Sequence, residues 1–478
     1  MASFDAPNST ALCGFIMQAG SGDAINLTGT SPYASITTFA KKPCRSNVVR
    51  AFGYAINGNG NTINDTRIYA ENIDGNVGAP GSLTNIILNY TSTTGVAAAG
   101  SPLLSIDRDS VVQRSFVLTN VSFTGQHSGW NGVGNGNKYM SLIGIGSATI
   151  NTVFELNNSA VSITGQNNGF QATKGVGSGG SAFFHNWNNR AAIKIQNTNF
   201  DEAGFLSSFN LLNMTTGTTG TALIAGNTFR RTANKNVRWE GNRLENVDAT
   251  LSGNTFSDGS YLDLYGKVDS IKIDGSTTAN TFNTIANGYG IRMTDALTGT
   301  PTMTGTNVFT GGGLALKFVK ATTGSTSLTT SGAFTVNGST FNNLFAGGQD
   351  SDTITGSSTA NWISGDTGND SLTGGAGDDA FVFATTLNAS TNVDTITDFT
   401  NSGQSDKIWL ANSVFTSLSA GSLNVGDFGT AAASGVDVVY DSGNLYFAAG
   451  GSGSLAGYTK FATLTSAPAL TSSDFFIF

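Results

Sequence analysis

The sequence predicts an all-β protein, in which a right-handed parallel β-helix is followed by a short parallel β-roll and a β-rich C-terminal cap. Three observations carry this prediction. The 478 residues include 62 glycines and only 7 prolines, which is typical of many short strands joined by tight turns. A short motif ending in phenylalanine recurs along the middle of the chain, and a nine-residue motif beginning with glycine recurs after it.

Charge and hydropathy exclude two classes of protein. The formal net charge is −8, and the chain has no basic stripe with interleaved aromatic residues, so we expect no nucleic-acid partner. No stretch approaches the roughly 18 apolar residues of a membrane-spanning helix, so we expect no membrane span. Divalent cations are the more natural partners of an acidic chain.

Residues 1–110 show no clear repeat, and we expect them to form an N-terminal cap or irregular first coils. The segment MASFDAPNSTALCGFIMQAGSG has neither the basic region nor the apolar region of a Sec signal peptide. We therefore expect a cytosolic protein, or one that leaves the cell by a route without an N-terminal signal. Cys13 and Cys44 are either two free thiols or one disulfide, and both interpretations stay open.

Residues 111–346 are predicted to form the parallel β-helix. The repeated motif occurs as NVSF, NTVF, NTNF, GNTF, GNTF, ANTF, TNVF and GSTF, ending at Phe123, Phe154, Phe200, Phe229, Phe256, Phe282, Phe309 and Phe341. From Phe200 on, the phenylalanines are 26 to 32 residues apart, a period that suits one coil of about three strands. A β-sandwich is disfavoured, because its strands keep no fixed period carrying the same residue pair.

The repeat also predicts how neighbouring coils contact each other. We expect the phenylalanines to stack in an internal ladder, and the asparagines to adopt the left-handed conformation and bond to their copies in the next coil. The step from Phe154 to Phe200 is close to two shorter repeats, so we expect one degenerate copy between them.

Residues 347–383 contain four nonapeptides without a gap, GGQDSDTIT, GSSTANWIS, GDTGNDSLT and GGAGDDAFV. Their sixth residues are Asp352, Asn361, Asp370 and Asp379, and their eighth residues are Ile354, Ile363, Leu372 and Phe381. This pattern matches the nonapeptide of calcium-binding parallel β-rolls. A solvated Gly/Asp-rich linker is disfavoured, because it would not keep an apolar residue at every ninth position across four units.

The chemistry of the nonapeptide explains its residues. Glycine permits backbone angles that turn carbonyl oxygens toward one point, and the sixth residue adds a carboxylate. Ca²⁺ takes roughly six to eight oxygen ligands at flexible angles, and its binding is expected to be coupled to folding. We expect about two or three ions. The candidate ligand residues of the block are Gly347, Gly348, Asp350, Asp352, Asn361, Gly365, Thr367, Gly368, Asp370, Gly374, Ala376, Gly377 and Asp379.

Because two nonapeptides make one coil, ions are expected between alternate units. Asp352 should therefore pair with Asp370, and Asn361 with Asp379. Ser357, Thr359 and Asn361 stand where the pattern has Gly, Gly and Asp, so the second of these sites is expected to be the weaker. Asp366 and Asp378 occupy positions that the pattern does not use for ligands.

The chain from Gly347 to Phe478 resembles the RTX (repeats-in-toxin) proteins of Gram-negative bacteria. After the nonapeptides, VDTITDF and SDKIWL resemble the segment that follows the repeats in that family, with Asp394, Asp398 and Asp406 at its acidic positions. Residues 384–478 resemble the family's C-terminal cap with its type I secretion signal. The resemblance implies export by a type I secretion apparatus, folding outside the cell with Ca²⁺, and a secreted protein associated with the cell surface.

An enzyme acting on polysaccharides is one functional hypothesis, since lyases, hydrolases and epimerases combine a β-helix with such repeats. His127 and His185 have no adjacent Asp or Arg that would form a recognisable site. Arg230, Arg231 and Arg238 are candidate glycan-binding residues in the basic cluster FRRTANKNVRWEGNRLE, although a solvated turn or an intermolecular salt-bridge patch is the favoured interpretation. An adhesin is a third, weaker hypothesis.

A structural, non-enzymatic role is the favoured hypothesis. The charged fraction is only 11%, and the sequence shows no catalytic constellation. In these respects the chain resembles bacterial surface-layer and extracellular-matrix proteins. We expect it to self-assemble through head-to-tail or lateral contacts into a filament or surface layer, with cell-surface polysaccharide as a further candidate partner.

Overall fold

The computed structural model describes residues 334–478 without a gap and shorter ranges before them. These ranges are 3–6, 24–27, 48–50, 55–64, 67–70, 81–90, 104–106, 114–127, 141–145, 152–165, 182–186, 192–201, 209–214, 221–230, 242–245, 247–265, 271–285, 288–294, 301–319 and 326–331. Two compact units divide the chain, Met1–Ile271 and Lys272–Phe478. Cys13, Cys44, Arg231 and Arg238 lie outside the described residues.

The described part of the first unit consists of strands in three parallel ladders. The first ladder contains Ser3–Ala6, Ala24–Leu27, Ala55–Asn64, Gly81–Tyr90, Arg114–His127, Thr152–Asn157, Ala192–Gln196, Thr221–Ala225 and Asp248–Ser252. The second contains the later halves of Ala55–Asn64, Gly81–Tyr90 and Arg114–His127 and continues through Ala160–Gly165, Asn199–Asp201, Thr228–Arg230 and Thr255–Ser257. The third contains Val48–Arg50, Arg67–Ala70, Leu104–Ile106, Ser141–Ile145, Ala182–Asn186, Phe209–Met214, Asn242–Glu245 and Leu262–Tyr265.

Strands of the second unit begin in the same manner. Ile271–Gly275 pairs in parallel with Thr302–Gly305, Thr281–Thr284 with Val308–Gly311, and Tyr289–Thr294 with Leu314–Val319. Thr326–Ser331 and Phe334–Val336 extend the first two of these pairs. Thr326–Ser331 then pairs antiparallel with Asn343–Gly348, and Phe334–Val336 pairs antiparallel with Ser339–Phe341. These two pairings end the parallel arrangement.

Two further parallel ladders follow within the second unit. One contains Asn343–Gly348, Asn361–Asp366, Ala380–Phe383, Lys407–Leu410 and Phe475–Ile477. The other contains Thr353–Thr355, Ser371–Thr373, Asp394–Ile396 and Thr459–Leu464. Short strands at Gly421–Ser422, Phe428–Gly429, Val438–Asp441 and Asn444–Phe447, with 3₁₀ turns at Val425–Asp427, Leu455–Gly457 and Ser472–Asp474, complete the chain. The prediction of an all-β protein with long parallel pairings is confirmed.

Phenylalanines stack where the repeat predicts it. Phe200, Phe229 and Phe256 are in register on neighbouring strands and fully buried. Their ring centroids are 4.8 and 4.9 Å apart, with the rings nearly parallel. In the second unit Phe282 and Phe309 stack at 4.8 Å. The strands therefore place one aromatic side chain per repeat in the core.

Asparagines beside these phenylalanines also bond to their copies. Asn227 Nδ2 donates to Asn254 Oδ1 at 3.0 Å and to the carbonyl of Ile195 at 2.8 Å. However, the left-handed residue is the preceding one, Gly226 with φ of 66° and Gly253 with φ of 64°. At these two copies the turn occurs one residue earlier than predicted, which leaves the asparagine buried. At Asn120 the prediction is confirmed, because Asn120 has φ of 54° and its Nδ2 donates at 2.7 Å to Oδ1 of Asn85, which has φ of 53°.

Two copies of the motif have a different register from the one expected. Phe154 lies opposite Phe116 in the first ladder, whereas Val161 lies opposite both Phe123 and Phe200 in the second. Val161 is thus the degenerate copy, and Phe154 is not equivalent to the others. Phe341 pairs antiparallel with Phe334, so the last copy is a return strand.

Candidate functional site

The nonapeptides place their sixth and eighth residues as the sequence predicts. Ile354, Ile363, Leu372 and Phe381, the eighth residues, are fully buried in one hydrophobic cluster. The sixth residues lie at the start of, or just before, the short strands that carry this core. Asp352, Asn361, Asp370 and Asp379 are all at most 3% exposed. The alternation of short strands thus buries polar side chains beside the core.

The first row of these polar residues consists of Asp352, Asp370 and Asp394. Asp370 Oδ1 accepts from the backbone N–H of Asp352 at 2.7 Å, and Asp394 Oδ1 accepts from that of Asp370 at 3.2 Å. Asp352 and Asp370 are therefore adjacent, and the ion predicted between them stays a prediction. Asp394, from the segment after the nonapeptides, extends the row by one coil.

The second row consists of Asn361, Asp379 and Asp406. Asp379 Oδ1 accepts from the backbone N–H of Asn361 at 2.7 Å, and Asp406 Oδ1 accepts from that of Asp379 at 3.0 Å. Asp406 Oδ2 also accepts from the N–H of Thr400 at 2.9 Å. Asn361 and Asp379 are likewise adjacent, and an ion between them also stays a prediction.

Each row contains a buried carboxylate oxygen that has no hydrogen-bond partner. In the first row Oδ2 of Asp370 has none, and in the second row Oδ2 of Asp379 has none. A buried charged oxygen without a partner is costly, because the water lost on folding is not replaced. A cation supplied from solution would remove this cost.

Glycines bring the backbone close to these carboxylates. A Cβ on Gly365 would collide with Asp370 Oδ2, and a Cβ on Gly374 would collide with Asp379 Oδ2. Gly347 is crowded in the same way by the carbonyl of Gly365 and the carboxylate of Asp352. Only residues without a side chain fit here, which leaves carbonyl and carboxylate oxygens together in one small volume.

Burial also shifts the carboxylates toward their protonated forms. Burial raises the pKa of Asp370 to about 6, that of Asp379 to about 7 and that of Asp406 to about 6. Burial is likewise the first cause that raises the pKa of Asp394, and the neighbouring Asp370 charge raises it further. Burial therefore disfavours the charged forms of these carboxylates.

The remaining candidate residues lie in the turns between the rows. Gly348 accepts through its carbonyl from the N–H of Thr367 at 3.1 Å, and the carbonyl of Asp350 lies against Gly368. Gly377 has φ of 113°, which favours glycine, and Ala376 N–H donates to Ser357 O at 3.0 Å. Both oxygens of Asp398 accept from backbone N–H groups, those of Gly374 and Gly375, each at 2.8 Å. Asp398 thus closes a turn with its hydrogen bonds.

Sequence reasoning missed the role of Asp366. This residue is 6% exposed, has φ of 77°, and forms an ion pair with Lys317 of the strand Leu314–Val319. The only signal in the sequence was an aspartate where the nonapeptide has glycine. Asp378, by contrast, is exposed and accepts from the N–H of Ser405 at 2.8 Å.

The glycan-binding residues remain a prediction. Arg230 is exposed, and its guanidinium lies 3.9 Å from the carboxylate of Asp201. Its proposed companions, Arg231 and Arg238, fall outside the described part of the chain. His127 and His185 lie in the strands Arg114–His127 and Ala182–Asn186.

Among the residues that the structure describes, no group of three or more His, Cys, Asp or Glu side chains is arranged to hold a metal. A cation in either row would therefore need backbone carbonyls for part of its ligand set. No helix in the described ranges has the length and apolar character needed to cross a bilayer. Models of known protein families do not match the chain, and neither does any curated protein.

Proposed function

We propose that the region from Gly347 to Asp406 is a Ca²⁺-binding parallel β-roll whose folded state depends on the ion. The observation that carries this proposal is the pair of buried, unpartnered oxygens, Asp370 Oδ2 and Asp379 Oδ2, beside glycines that admit backbone carbonyls. All the donors are hard oxygen atoms, which suit Ca²⁺ better than transition metals. Both cysteines and both histidines precede the region.

The first row would hold the ion through Asp352 and Asp370, with carbonyls of the segments Gly347–Asp350 and Gly365–Gly368, each of which runs from the end of a strand into the following turn. In the second row Asp379 and Asp406 would hold an ion with carbonyls of the turn Gly374–Gly377. The bound ion supplies positive charge to carboxylates that burial otherwise drives toward protonation. The chain's own contribution is to fix the carboxylates by backbone N–H bonds and to keep the turns free of side chains.

We further propose that the parallel ladders upstream of the roll form a β-helix. In the described residues between 152 and 265, each repeat contributes one strand to each of the three ladders. Neighbouring repeats also share stacked phenylalanines and bonded asparagines. Such a stack is stabilised by contacts between neighbours, so its length can vary without a change of fold.

The function that this arrangement best supports is structural. We propose a secreted, calcium-dependent protein that self-assembles into an extracellular filament or surface layer. A charged fraction of 11% and a repeated, stacked core suit a scaffold. The ends of a stack of parallel strands also offer backbone groups to a second molecule. Type I export follows from the resemblance to RTX proteins.

Electron microscopy of the purified full chain, in millimolar Ca²⁺ and then in chelator, tests this function. Filaments or sheets in Ca²⁺ that dissolve in chelator are the expected result. Monodisperse particles in both conditions would count against assembly. Turnover of an anionic polysaccharide that is lost on Arg238→Ala would instead favour a polysaccharide-active enzyme.

A further inference from the structure

We infer that the amide of Asn361 takes the place of a cation between the second nonapeptide, Gly356–Ser364, and the fourth, Gly374–Val382. This inference rests on the proposed Ca²⁺ roll. It means that hydrogen bonds join the second and fourth units without a metal ion, whereas the first and third units form a cation site.

Three oxygen atoms surround the amide nitrogen of Asn361. Asn361 Nδ2 donates to Asp379 Oδ1 at 2.7 Å, to the carbonyl of Thr359 at 2.5 Å, and faces the carbonyl of Gly374 at 3.2 Å. These atoms come from both nonapeptides and combine a carboxylate with two carbonyls. They are the kinds of oxygen that the roll would offer to Ca²⁺.

Neighbours on the other side of the amide fix its orientation. Asn361 Oδ1 accepts from Asn343 Nδ2 at 3.0 Å and from Ser357 Oγ at 3.0 Å. If the amide were flipped, its oxygen would face three acceptors, and its nitrogen would face the NH₂ donor of Asn343. The NH₂ group therefore points to the carboxylate and carbonyls, where a partial positive charge is needed.

The departures of the second nonapeptide from the pattern belong to one hydrogen-bonded group. Ser357 and Thr359 replace the second- and fourth-position glycines of the pattern. Their hydroxyl oxygens are 3.0 Å apart, and Asn343 Nδ2 reaches Ser357 Oγ at 2.9 Å and Thr359 Oγ1 at 3.3 Å. Because Ser357, Thr359 and Asn361 contact each other, we interpret them as one hydrogen-bonded group that fills the cation position. They are not three independent replacements that each weaken a cation site.

The equivalent position in the first row shows the contrast. The backbone geometry is the same, since Asp352 N–H and Asn361 N–H each donate at 2.7 Å to an Asp Oδ1, of Asp370 and Asp379 respectively. The side chain at the donor position is a carboxylate in the first row and an amide in the second. Two facing carboxylates need a cation between them, whereas an amide facing a carboxylate does not.

Changing Asn361 to Asp should therefore create a cation site. The replacement is nearly isosteric, and the facing carboxylate and carbonyls are already in place. Native mass spectrometry of the full chain in Ca²⁺ counts the bound ions. We expect Asn361→Asp to bind one more ion than the unmodified protein, and Asp370→Asn to bind one fewer.

A second variant keeps the test decisive if Asn361→Asp folds poorly. Ser357→Gly/Thr359→Gly/Asn361→Asp restores the nonapeptide pattern and should also gain one ion, with its fold checked by circular dichroism in Ca²⁺. An unchanged ion count in both variants, while the unmodified protein binds Ca²⁺, would overturn the inference and leave the proposed function intact. Loss of an ion on Asn361→Ala would also overturn it, because Asn361 would then be a ligand. If neither the unmodified protein nor the variants bind Ca²⁺, both proposals fail.

Discussion

The ammonium of Lys317 is paired with the buried carboxylate of Asp366, which lies in a left-handed conformation at the second position of the third nonapeptide. Burial raises the pKa of Asp366, and the charge of Lys317 opposes this shift. The pair therefore places one fixed positive charge of the protein beside the first acidic row. It also links the strand Leu314–Val319 to the nonapeptide block.

Lys317→Met should destabilise the second unit by on the order of 3 kcal/mol, because it leaves the carboxylate of Asp366 buried without its cation. Urea unfolding in excess Ca²⁺, followed by tryptophan fluorescence, measures the change. The matched control is Lys317→Met/Asp366→Gly, which removes the charge and places glycine where φ is 77°. We expect this double variant to regain most of the stability. A single variant as stable as the unmodified protein would contradict the role of the pair.

Replacement of a carboxylate in the first row should have opposite effects with and without calcium. Asp370→Asn keeps the acceptor for the Asp352 N–H but removes a buried charge. We expect the variant to be more stable than the unmodified protein without Ca²⁺, and to gain less stability when Ca²⁺ is added. Thermal unfolding in each condition measures both effects. The exposed Asp378→Asn is the control and should change neither; equal destabilisation of Asp370→Asn in both conditions would argue for a purely structural role.

The calcium-free protein should become less stable as the pH rises. The pKa values of Asp370, Asp379 and Asp406 are raised to about 6, 7 and 6, so the folded state holds more protons than the unfolded state. The free energy of unfolding then falls between about pH 4 and pH 7. Denaturant titrations across this range measure the trend, which saturating Ca²⁺ should flatten above about pH 6. Calcium-free protein that gains stability with rising pH would contradict the account.

Truncation in the phenylalanine stack should destabilise the first unit without changing calcium binding. Phe229 is fully buried between Phe200 and Phe256, so Phe229→Ala should cost about 3–5 kcal/mol. Guanidinium unfolding followed by circular dichroism measures this loss. Thr228→Ala, on the same strand but only half-buried, serves as the control and should cost much less. A similar cost for the two variants would show that the stack adds little.

Local periodicity was enough to predict much of the arrangement of the nonapeptides. The nine-residue period placed Ile354 and Leu372 in the core, and the two-unit coil placed Asp352 near Asp370, because both follow from strand alternation and coil length. Periodicity did not predict the pairing of Lys317 with Asp366, which depends on how a distant strand meets the block. It also misplaced Phe154, since a shared residue pattern does not specify which ladder a strand joins.

The proposed replacement of a cation by the amide of Asn361 illustrates a second limit of pattern matching. From the sequence, Ser357, Thr359 and Asn361 were three separate departures that weaken a cation site. Only their hydrogen bonds reveal that the hydroxyls and the amide contact one another and Asp379. Whether the amide can replace a cation depends on which group donates the hydrogen bonds and on how that group is oriented. A consensus pattern encodes neither.

Hydrogen exchange of the full chain, compared peptide by peptide in millimolar Ca²⁺ and in chelator, tests the central claim most directly. The account predicts that Ca²⁺ strongly slows amide exchange in the turns Gly347–Asp352 and Gly365–Asp370, where it binds. Identical exchange of these turns in the two conditions would contradict a calcium-dependent roll.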